Sequence, residues 1–404
     1  MGSLLKRIGW TRFVMTDNHI RPIALFIPAL NGGGAQRVIV NLANALVDLI
    51  DRPVHIVLVR AEGVFLGDIH PEVCIRSLDK QRTLAAIPAL VRYLRSERPI
   101  VLMSRMNYVN IVASVGWVLA GRPCRLVLSE ANVVRPPEGS LFKRMREWLV
   151  IKAMQSTYRR ADCVVANSVA TARTMSLHGV ASDSSIITIH NPVLGAVLRK
   201  EIDSSCLFDG FRPDRLLICA IGRLAEQKGF DCLLKAMSKM ENKNLDLVIL
   251  GEGPLRDQLE AQAKDLGISE RVHLPGFAAN PVRVLEKSSL FVLSSRWEGF
   301  GNVIIEALSS GTPVVATDCS GAPRELLLDG KLGHLVPPDD PDALAAAITE
   351  ALVSPRGTKE ERMHRATDFS APGVAKQYLV RAFGLYASDI NLTPDESDTT
   401  PLEP

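Results

Sequence analysis

The 404-residue sequence predicts an α/β protein built from two consecutive doubly wound domains. Three observations carry that prediction. Short β-rich apolar runs alternate with helical patterns along most of the chain, the alternation that lays strands side by side in a parallel sheet covered on both faces. The alternation stops in a polar, breaker-rich stretch, GAVLRKEIDSSCLFDGFRPD, and then restarts, which marks a linker. A chain of this length also exceeds what a single hydrophobic core usually holds.

Taken in order, residues 1–21 show no strong period and read as a poorly ordered lead. The first domain, 22–195, opens with the buried strand IALFIPAL (23–30) and the helix AQRVIVNLANALVDL (35–49). VHIVLVR, PIVLMS, CRLVLS and DCVVANS read as further strands, with TLAAIPALVRYLRSE and LFKRMREWLVIKAMQSTYRR as helices between some of them,. The linker takes 196–214. In the second domain, 215–370, the strands are RLLICAIG, LDLVILG, RVHLPG, LFVLSS and PVVATD, each followed by a helical pattern or a turn. A helix at 371–387 is expected to return to the first domain, and 388–404 has the composition of a disordered tail,. A ligand cleft is expected between two such domains.

Bulk properties narrow the function classes. The chain is 47% hydrophobic and 23% charged, as a globular protein is. Its seven cysteines form no CxxC pair and no metal-like cluster, as expected of thiols in a reducing cytosol. The N-terminus shows no secretory signal, because Lys6, Arg7, Asp17 and His19 interrupt any apolar core,. Val109 to Leu119, the longest weakly polar stretch, is too short to span a bilayer,. Charge is unevenly shared: residues 1–200 carry 26 Lys and Arg against 13 Asp and Glu, and the remainder 21 against 31. The first half therefore either meets something anionic or carries ordinary solvated charge. Basic and aromatic residues are not interleaved as base stacking requires, which argues against nucleic acid as a partner.

The chemistry concentrates in the second half. AIGRLAEQKGFDCLLKAM places Gly222 at a strand end, with Arg223 and Lys228 in the loop that opens a helix. GFGNVIIEAL sets Gly299 and Gly301 on either side of Phe300, with a helix beginning near Asn302. Strand-end glycines let an anion approach the helix N-terminus, and neither stretch matches the GxxxxGK[ST] P-loop. Together they make a diphosphate site, with helix amides on one side and a guanidinium and an ammonium on the other. Glu306, one turn into that helix, can accept from two vicinal hydroxyls, the way a ribose is held. Glu298, before the helix, reaches the neighbouring sugar. The bland alternative makes both glutamates surface acids, but the glycine bracket and the basic partner loop argue against it. Gly251 and Gly253 either hold a loop close to the ligand or form a simple turn.

These residues resemble the retaining glycosyltransferases of family four, with the GT-B fold of two Rossmann-like domains. The resemblance rests on Glu298-x7-Glu306 within SRWEGFGNVIIEALSSGTPVVATD, on GRLAEQKG (222–229), LGEGP (250–254), VHLPGF (272–277) and GAPRELLLDGKLGHLVPPDD (321–340), in that family's order. It implies that Glu306 binds ribose hydroxyls and Glu298 the donor sugar, that Arg223 and Lys228 neutralise the diphosphate with help from the amides of Phe300 and Gly301, and that Pro275, Gly276 and Phe277 receive the base. Further implications are retention of configuration without a metal, no cofactor beyond the nucleotide diphosphate sugar as co-substrate, and a saccharide or polyprenyl-diphosphate-linked acceptor. UDP is favoured over GDP by analogy with relatives bearing a triple-glycine loop. No DxD cluster lies in these motifs; Asp340 and Asp342 fall in a proline-rich loop.

In the first half, Gly32, Gly33 and Gly34 follow the first strand and open a helix. They do not form G-x-G-x-x-G, since Arg37 stands at the third position,. They either line the ligand cleft, with Gln36 and Arg37 contributing, or form a plain turn. Many family members carry a histidine where this chain has Glu130, and PIVLMSRMNYVN offers Arg105 and Asn107 in place of other histidine-bearing segments. Glu130 either accepts a hydrogen bond from a hydroxyl or polarises the acceptor, or else pairs with Arg105 as a buried carboxylate. Two basic stretches, 82–98 and 141–160, either touch an anionic membrane peripherally, on the cytoplasmic side, or present solvated faces of packed helices. A GT-B epimerase and a non-catalytic sugar-nucleotide binder remain as alternatives to a transferase.

Overall fold

The computed structural model describes residues 21–137, 139–195, 214–278 and 281–385. Nearly all of the lead and of the linker, and the whole tail expected from the sequence, therefore lie outside the described residues. The chain divides into two compact units, one of 1–167, 172–198 and 370–404, the other of 168–171 and 199–369. Thus Ser168–Thr171, which the sequence reading places in the first domain, belong to the second unit.

In the first unit the strands are β1 (Ile23–Ile27), β2 (Val54–Leu58), β3 (Cys74–Ser77), β4 (Val101–Arg105), β5 (Arg125–Glu130), β6 (Cys163–Ala166) and β7 (Ile186–Thr188). They pair in parallel in the order β3-β2-β1-β4-β5-β6-β7. The helices in chain order are α1 (Gly34–Leu49), α2 (Ile87–Glu97), α3 (Asn107–Leu119), α4 (Leu141–Tyr158) and α5 (Val169–Leu177), the first three residues of α5 belonging to the second unit. The central strands are buried along their whole length, which is why they read as unbroken apolar runs rather than as alternating ones. One face of the sheet is covered by α1 through Ile39, Leu42 and Leu46, the other by α2, α3 and α4 through Leu90, Val112, Met154 and Tyr158.

In the second unit, β8 (Leu216–Ile221), β9 (Leu245–Leu250), β10 (Val272–Gly276), β11 (Leu290–Leu293), β12 (Val314–Thr317) and β13 (His334–Val336) form a parallel sheet in the order β10-β9-β8-β11-β12-β13. Its helices are α6 (Phe230–Lys239), α7 (Arg256–Asp265), α8 (Val282–Lys287), α9 (Asn302–Ser309), α10 (Pro323–Leu326), α11 (Pro341–Val353) and α12 (Lys359–Thr367). The chain then supplies α13 (Ala371–Gln377) to the first unit, where Val374, Ala375, Tyr378 and Leu379 join the α1 core. No helix among the described residues is long and apolar enough to cross a membrane.

Both sheets reverse their winding direction beside the first strand, between β1 and β4 and between β8 and β11. In open α/β sheets ligands bind at such a switch point, outside the carboxyl ends of the strands. The loops leaving β8 and β11 are those that carry Lys228 and Glu298, and the loops leaving β1 and β4 carry Gly32–Gly34 and Asn107.

Candidate functional site

In the second unit, Ile221 ends β8 and the chain turns at Gly222. Gly222 leaves room for a side chain: a Cβ there would stand 2.8 Å from Cε of Lys228, whose stem lies across the glycine. Beneath it, Gly251 holds a backbone with φ of +149°, and a Cβ would come within 1.9 Å of the Gly222 carbonyl oxygen. Only glycine permits that approach. Backbone hydrogen bonds fasten the layers, from Gly222 N to Leu250 O (2.9 Å), Leu224 N to Glu252 O (3.0 Å) and Gly251 N to Gly276 O (2.8 Å). A Cβ at Gly253 would likewise meet the Leu224 carbonyl. These glycines therefore support the Gly222–Lys228 loop from below.

The loop leaving β11 packs on that same segment. Ser294 Oγ donates to the Lys228 carbonyl (2.8 Å), Arg296 N to the Gln227 carbonyl (2.8 Å), and Gln227 Nε2 to the Trp297 carbonyl (2.9 Å). Gly229, at φ +60°, sits against the Ser294 carbonyl. Lys228 Nζ meets Glu298 Oε1 at 2.5 Å, and Ser295 Oγ donates to the same oxygen at 2.6 Å. Glu298 is 6% exposed; a carboxylate so placed needs its cation and its hydroxyl to offset desolvation. Thr317 Oγ1 in turn holds the Ser295 carbonyl, and Gly321 packs on the Glu298 backbone with no room for a Cβ. The lysine and glutamate assigned from sequence to different parts of one ligand are thus directly paired.

Past Glu298 the chain passes Gly299, whose carbonyl accepts from Ser168 Oγ at 3.2 Å, and buried Phe300, stacked edge-on against Phe369 with centroids 5.7 Å apart. Gly301, at φ +96°, is the N-cap of α9 and brings no side-chain cap to its amides. Asn302 is the first helical residue and Glu306 lies one turn on, half-buried. Arg223 is exposed and makes no ion pair or side-chain hydrogen bond among the described residues. Pro275 and Gly276 end the edge strand β10, followed by Phe277 at 48% exposure. Asp340 caps α11, accepting from the amides of Asp342 and Ala343.

Two side chains here carry structural roles that the sequence reading did not assign. Ser295 holds Glu298, as described. Arg296 grips Asp231 with both guanidinium nitrogens (2.9 and 2.8 Å), reaches Asp339 at 2.7 Å, and donates to the Glu226 carbonyl. The hydrogen bonds that Arg296 donates to the Asp231 carboxylate push the guanidinium pKa upward against the effect of burial,. The signal was present in SSRWEG, where hydroxyls and a cation crowd a glutamate, but nothing in that spacing names their partners.

In the first unit, Gly33 is the N-cap of α1, and Gly32 takes φ +101°. Gly33 and Gly34 are exposed. Arg37 is turned to Asp68 at 2.8 Å and lies over the Phe65 ring. Asn107 opens α3 and accepts from the Tyr108 amide. Arg105 and Glu130 are inside the unit, at 1% and 2% exposure. Arg105 donates to Ser129 Oγ (2.8 Å) and Asn191 Oδ1 (2.6 Å). Glu130 is the buried carboxylate of that alternative and feels the Arg105 charge, but its direct partners are others: its Oε2 accepts from Tyr158 Oη at 2.7 Å and its Oε1 from the Ala131 amide at 2.9 Å. Burial pushes the Glu130 carboxyl up, opposed by those hydrogen bonds, and burial pushes Arg105 down,. Glu130 is therefore turned inward, with both oxygens engaged. Tyr158 also accepts from Asn110, which extends the buried network to Ser104.

Two family profiles match the chain, Glycosyltransferase Family 4 over residues 32–193 and Glycosyl transferases group 1 over 208–368. The lipopolysaccharide core biosynthesis glycosyltransferase LpsE of Rhizobium meliloti is 30% identical over 362 residues, which cover 86% of this chain and 95% of that one. A Campylobacter jejuni N-acetylgalactosamine-N,N'-diacetylbacillosaminyl-diphospho-undecaprenol 4-alpha-N-acetylgalactosaminyltransferase is 28% identical over 384 residues, 90% of this chain and 100% of that one. Among solved structures, Anabaena HepE in complex with UDP and glucose superposes with a TM-score of 0.75 at 20% identity, covering 90% of this chain and 100% of the other. Sucrose-phosphate synthase from Thermosynechococcus elongatus gives 0.73 at 20%, over 88% and 97%. At those identities the structural likeness speaks to the fold.

Proposed function

The chain belongs to the GT-B glycosyltransferases, with a family-four first half and a group-1 second half, and on that premise we propose that it moves a hexose from a nucleoside diphosphate sugar, with retention and without a metal, onto a lipid-linked saccharide. The observation that carries this reading is the pairing of Lys228 with Glu298 beside the uncapped N-terminus of α9, at the switch point of the second sheet. A cation, a carboxylate and helix amides converging at one switch point suit a sugar joined to a diphosphate.

In this reading the diphosphate lies between the α9 amides and the cations of Arg223 and Lys228. Lys228, held at one side by Glu298, is shared with the phosphates when donor binds. Glu298 accepts from the sugar hydroxyls, and Glu306 from the ribose. The base rests at Pro275–Phe277. The acceptor hydroxyl attacks the anomeric carbon from the face on which the phosphate departs. The new C–O bond forms as the old one breaks, and the acceptor proton passes to the departing phosphate oxygen, so that no side-chain base is required. The protein's task is to stabilise the charge that develops on the diphosphate, and two cations supply it without a metal.

UDP-sugars are the favoured donors. The names of the R. meliloti and C. jejuni relatives, which refer to a lipopolysaccharide core and a diphospho-undecaprenol saccharide, support an acceptor of the lipid-linked class. We place the enzyme in the cytoplasm at the inner face of the membrane. The test is transfer from a panel of UDP- and GDP-sugars to lipid-linked saccharides, with and without EDTA, followed by NMR of the product linkage. The reading predicts an α-linked product from an α-linked donor at a rate that EDTA leaves unchanged. An inverted anomer, or donor turnover to an epimer without transfer, overturns it.

A further inference from the structure

Three neighbouring helices, α2, α3 and α4, cover one face of the first sheet and bury a common core. Their outward sides differ. On α2 the apolar residues Leu90, Tyr93 and Leu94 are buried and the outside is polar, with Arg92 and Arg95 exposed. Over Ile87–Glu97 the basic stretch is thus the solvated face of a packed helix, while Leu84 ahead of it is exposed. Helix α4 is different. Met154, Thr157 and Tyr158 face inward, yet Leu141, Phe142, Met145, Trp148 and Leu149 are all more than half exposed, Leu141 at 82% and Phe142 at 74%. At about 100° per residue these five occupy an arc of roughly 120° on the side away from the core. Helix α3 continues the pattern, exposing Tyr108, Val115, Val118 and Leu119 along one stripe while Val109, Val112 and Trp117 are buried. Monomeric proteins seldom leave so many large apolar side chains together in water.

Charge says what covers them. On the same helical projection Arg144 and Arg146 flank the α4 apolar arc on either side, and both are exposed,. Lys152 lies one turn beyond Trp148 with its ammonium over the ring at 5.7 Å. Arg95 fixes itself to the Leu119 carbonyl at 2.8 Å, at the end of the α3 stripe. Glu147, the one acid of α4, falls on the opposite side of the helix from the apolar arc,. An apolar strip edged by long cations, with a tryptophan among them, matches the headgroup boundary of a lipid bilayer, where cations snorkel to phosphate while the strip enters the acyl region. A second copy fits less well, because a two-fold interface would set the arginine rims of both copies against one another.

We propose that the outward face of α3 and α4, centred on Leu141–Leu149, docks the protein on anionic phospholipid bilayers without crossing them. The proposal does not depend on the transfer chemistry. It is tested by floating the full chain with vesicles of phosphatidylcholine alone or containing about one-third phosphatidylglycerol. The expected result is flotation with the anionic vesicles that weakens as salt is raised, with a blue shift of tryptophan emission that Trp148→Phe reduces. Arg144→Gln/Arg146→Gln/Lys152→Gln lowers binding on the order of a hundredfold, at roughly a fivefold loss per cation near the surface. Leu141→Ser/Phe142→Ser/Trp148→Ser abolishes flotation while circular dichroism and melting are unchanged, as suits exposed positions. The proposal is overturned if the wild type stays with the unbound fraction at low salt, or if the serine variant floats as the wild type does. It is also overturned if the wild type ignores vesicles and forms a dimer that the serine variant dissociates.

Discussion

Replacing Gly222 by alanine tests the placement of Lys228 without touching its charge. A Cβ at 222 would lie 2.8, 3.0 and 3.1 Å from Cε, Cδ and Cγ of Lys228, where ordinary contacts begin near 3.5 Å. The lysine stem must move by about 0.5–1 Å, and because it is a flexible side chain the fold accommodates that cheaply. The Nζ–Oε1 contact of 2.5 Å with Glu298 does not survive such a shift unchanged. A misplacement near 1 Å in a positioned catalytic group costs on the order of a hundredfold in rate, so Gly222→Ala is expected to lose about that much turnover while its melting temperature stays within about 4 °C of wild type. Lys228→Ala is a less clean probe, since it leaves Glu298 buried without its cation and a broken buried pair costs about 3–5 kcal/mol. The assay is initial-rate sugar transfer at saturating donor, beside a melting curve. Turnover within threefold of wild type would refute the reasoning, because the ammonium position would then be irrelevant to the chemistry.

Further outcomes follow from the same geometry. Arg223→Ala and Lys228→Ala each lower transfer about a hundred- to a thousandfold, the loss typical of a preorganised donor to a developing oxyanion; losses of tenfold or less for both in a rate assay would contradict the assignment. Glu130→Ala destabilises the first unit by about 1–3 kcal/mol in urea unfolding, because Tyr158 and a backbone amide lose a buried acceptor, while Glu130→Gln retains one acceptor oxygen and keeps both fold and transfer. Burial, aided by Arg76, lowers the His55 pKa to about 4. The neutral ring is therefore the form the fold favours, so stability present above pH 6.5 is lost as pH falls towards 4, by about 3 kcal/mol in all. His55→Gln should flatten that acid limb in urea midpoints measured between pH 4 and 7.

The two parallel sheets were legible because their inner strands are covered on both faces and leave continuous apolar runs such as IALFI and LDLVIL. Strands β3, β7 and β13 escaped the sequence reading. Each is three or four residues long and lies at a sheet edge, and β3 and β7 are only partly buried, so none carries a strong hydrophobic signal. Helix α3 was noticed only as an apolar stretch, since Asn110, Ser114 and Gly116 break its pattern while facing the core.

Site residues divide in the same way. Glycine loops at strand ends are visible in sequence because glycine marks backbone that no other residue can follow, as at Gly251 and Gly301. Which side chains then meet is a tertiary matter. Lys228 and Glu298 stand 70 positions apart, and spacing cannot show that the ammonium and the Ser295 hydroxyl both donate to one Glu298 oxygen. Glu130 misled for a related reason: a carboxylate after a strand suggests a site, and only packing shows Tyr158 and two backbone amides already around it.

The central claim is that the second unit grips a nucleoside diphosphate sugar with Arg223 and Lys228 at its middle. Isothermal titration of UDP and GDP, and of their sugar conjugates, into the full chain and into Arg223→Ala/Lys228→Ala addresses it most directly. The account predicts binding of one nucleotide series by the wild type, weakened a hundredfold or more in the double variant while circular dichroism is unchanged. Equal affinity in the two proteins would contradict it.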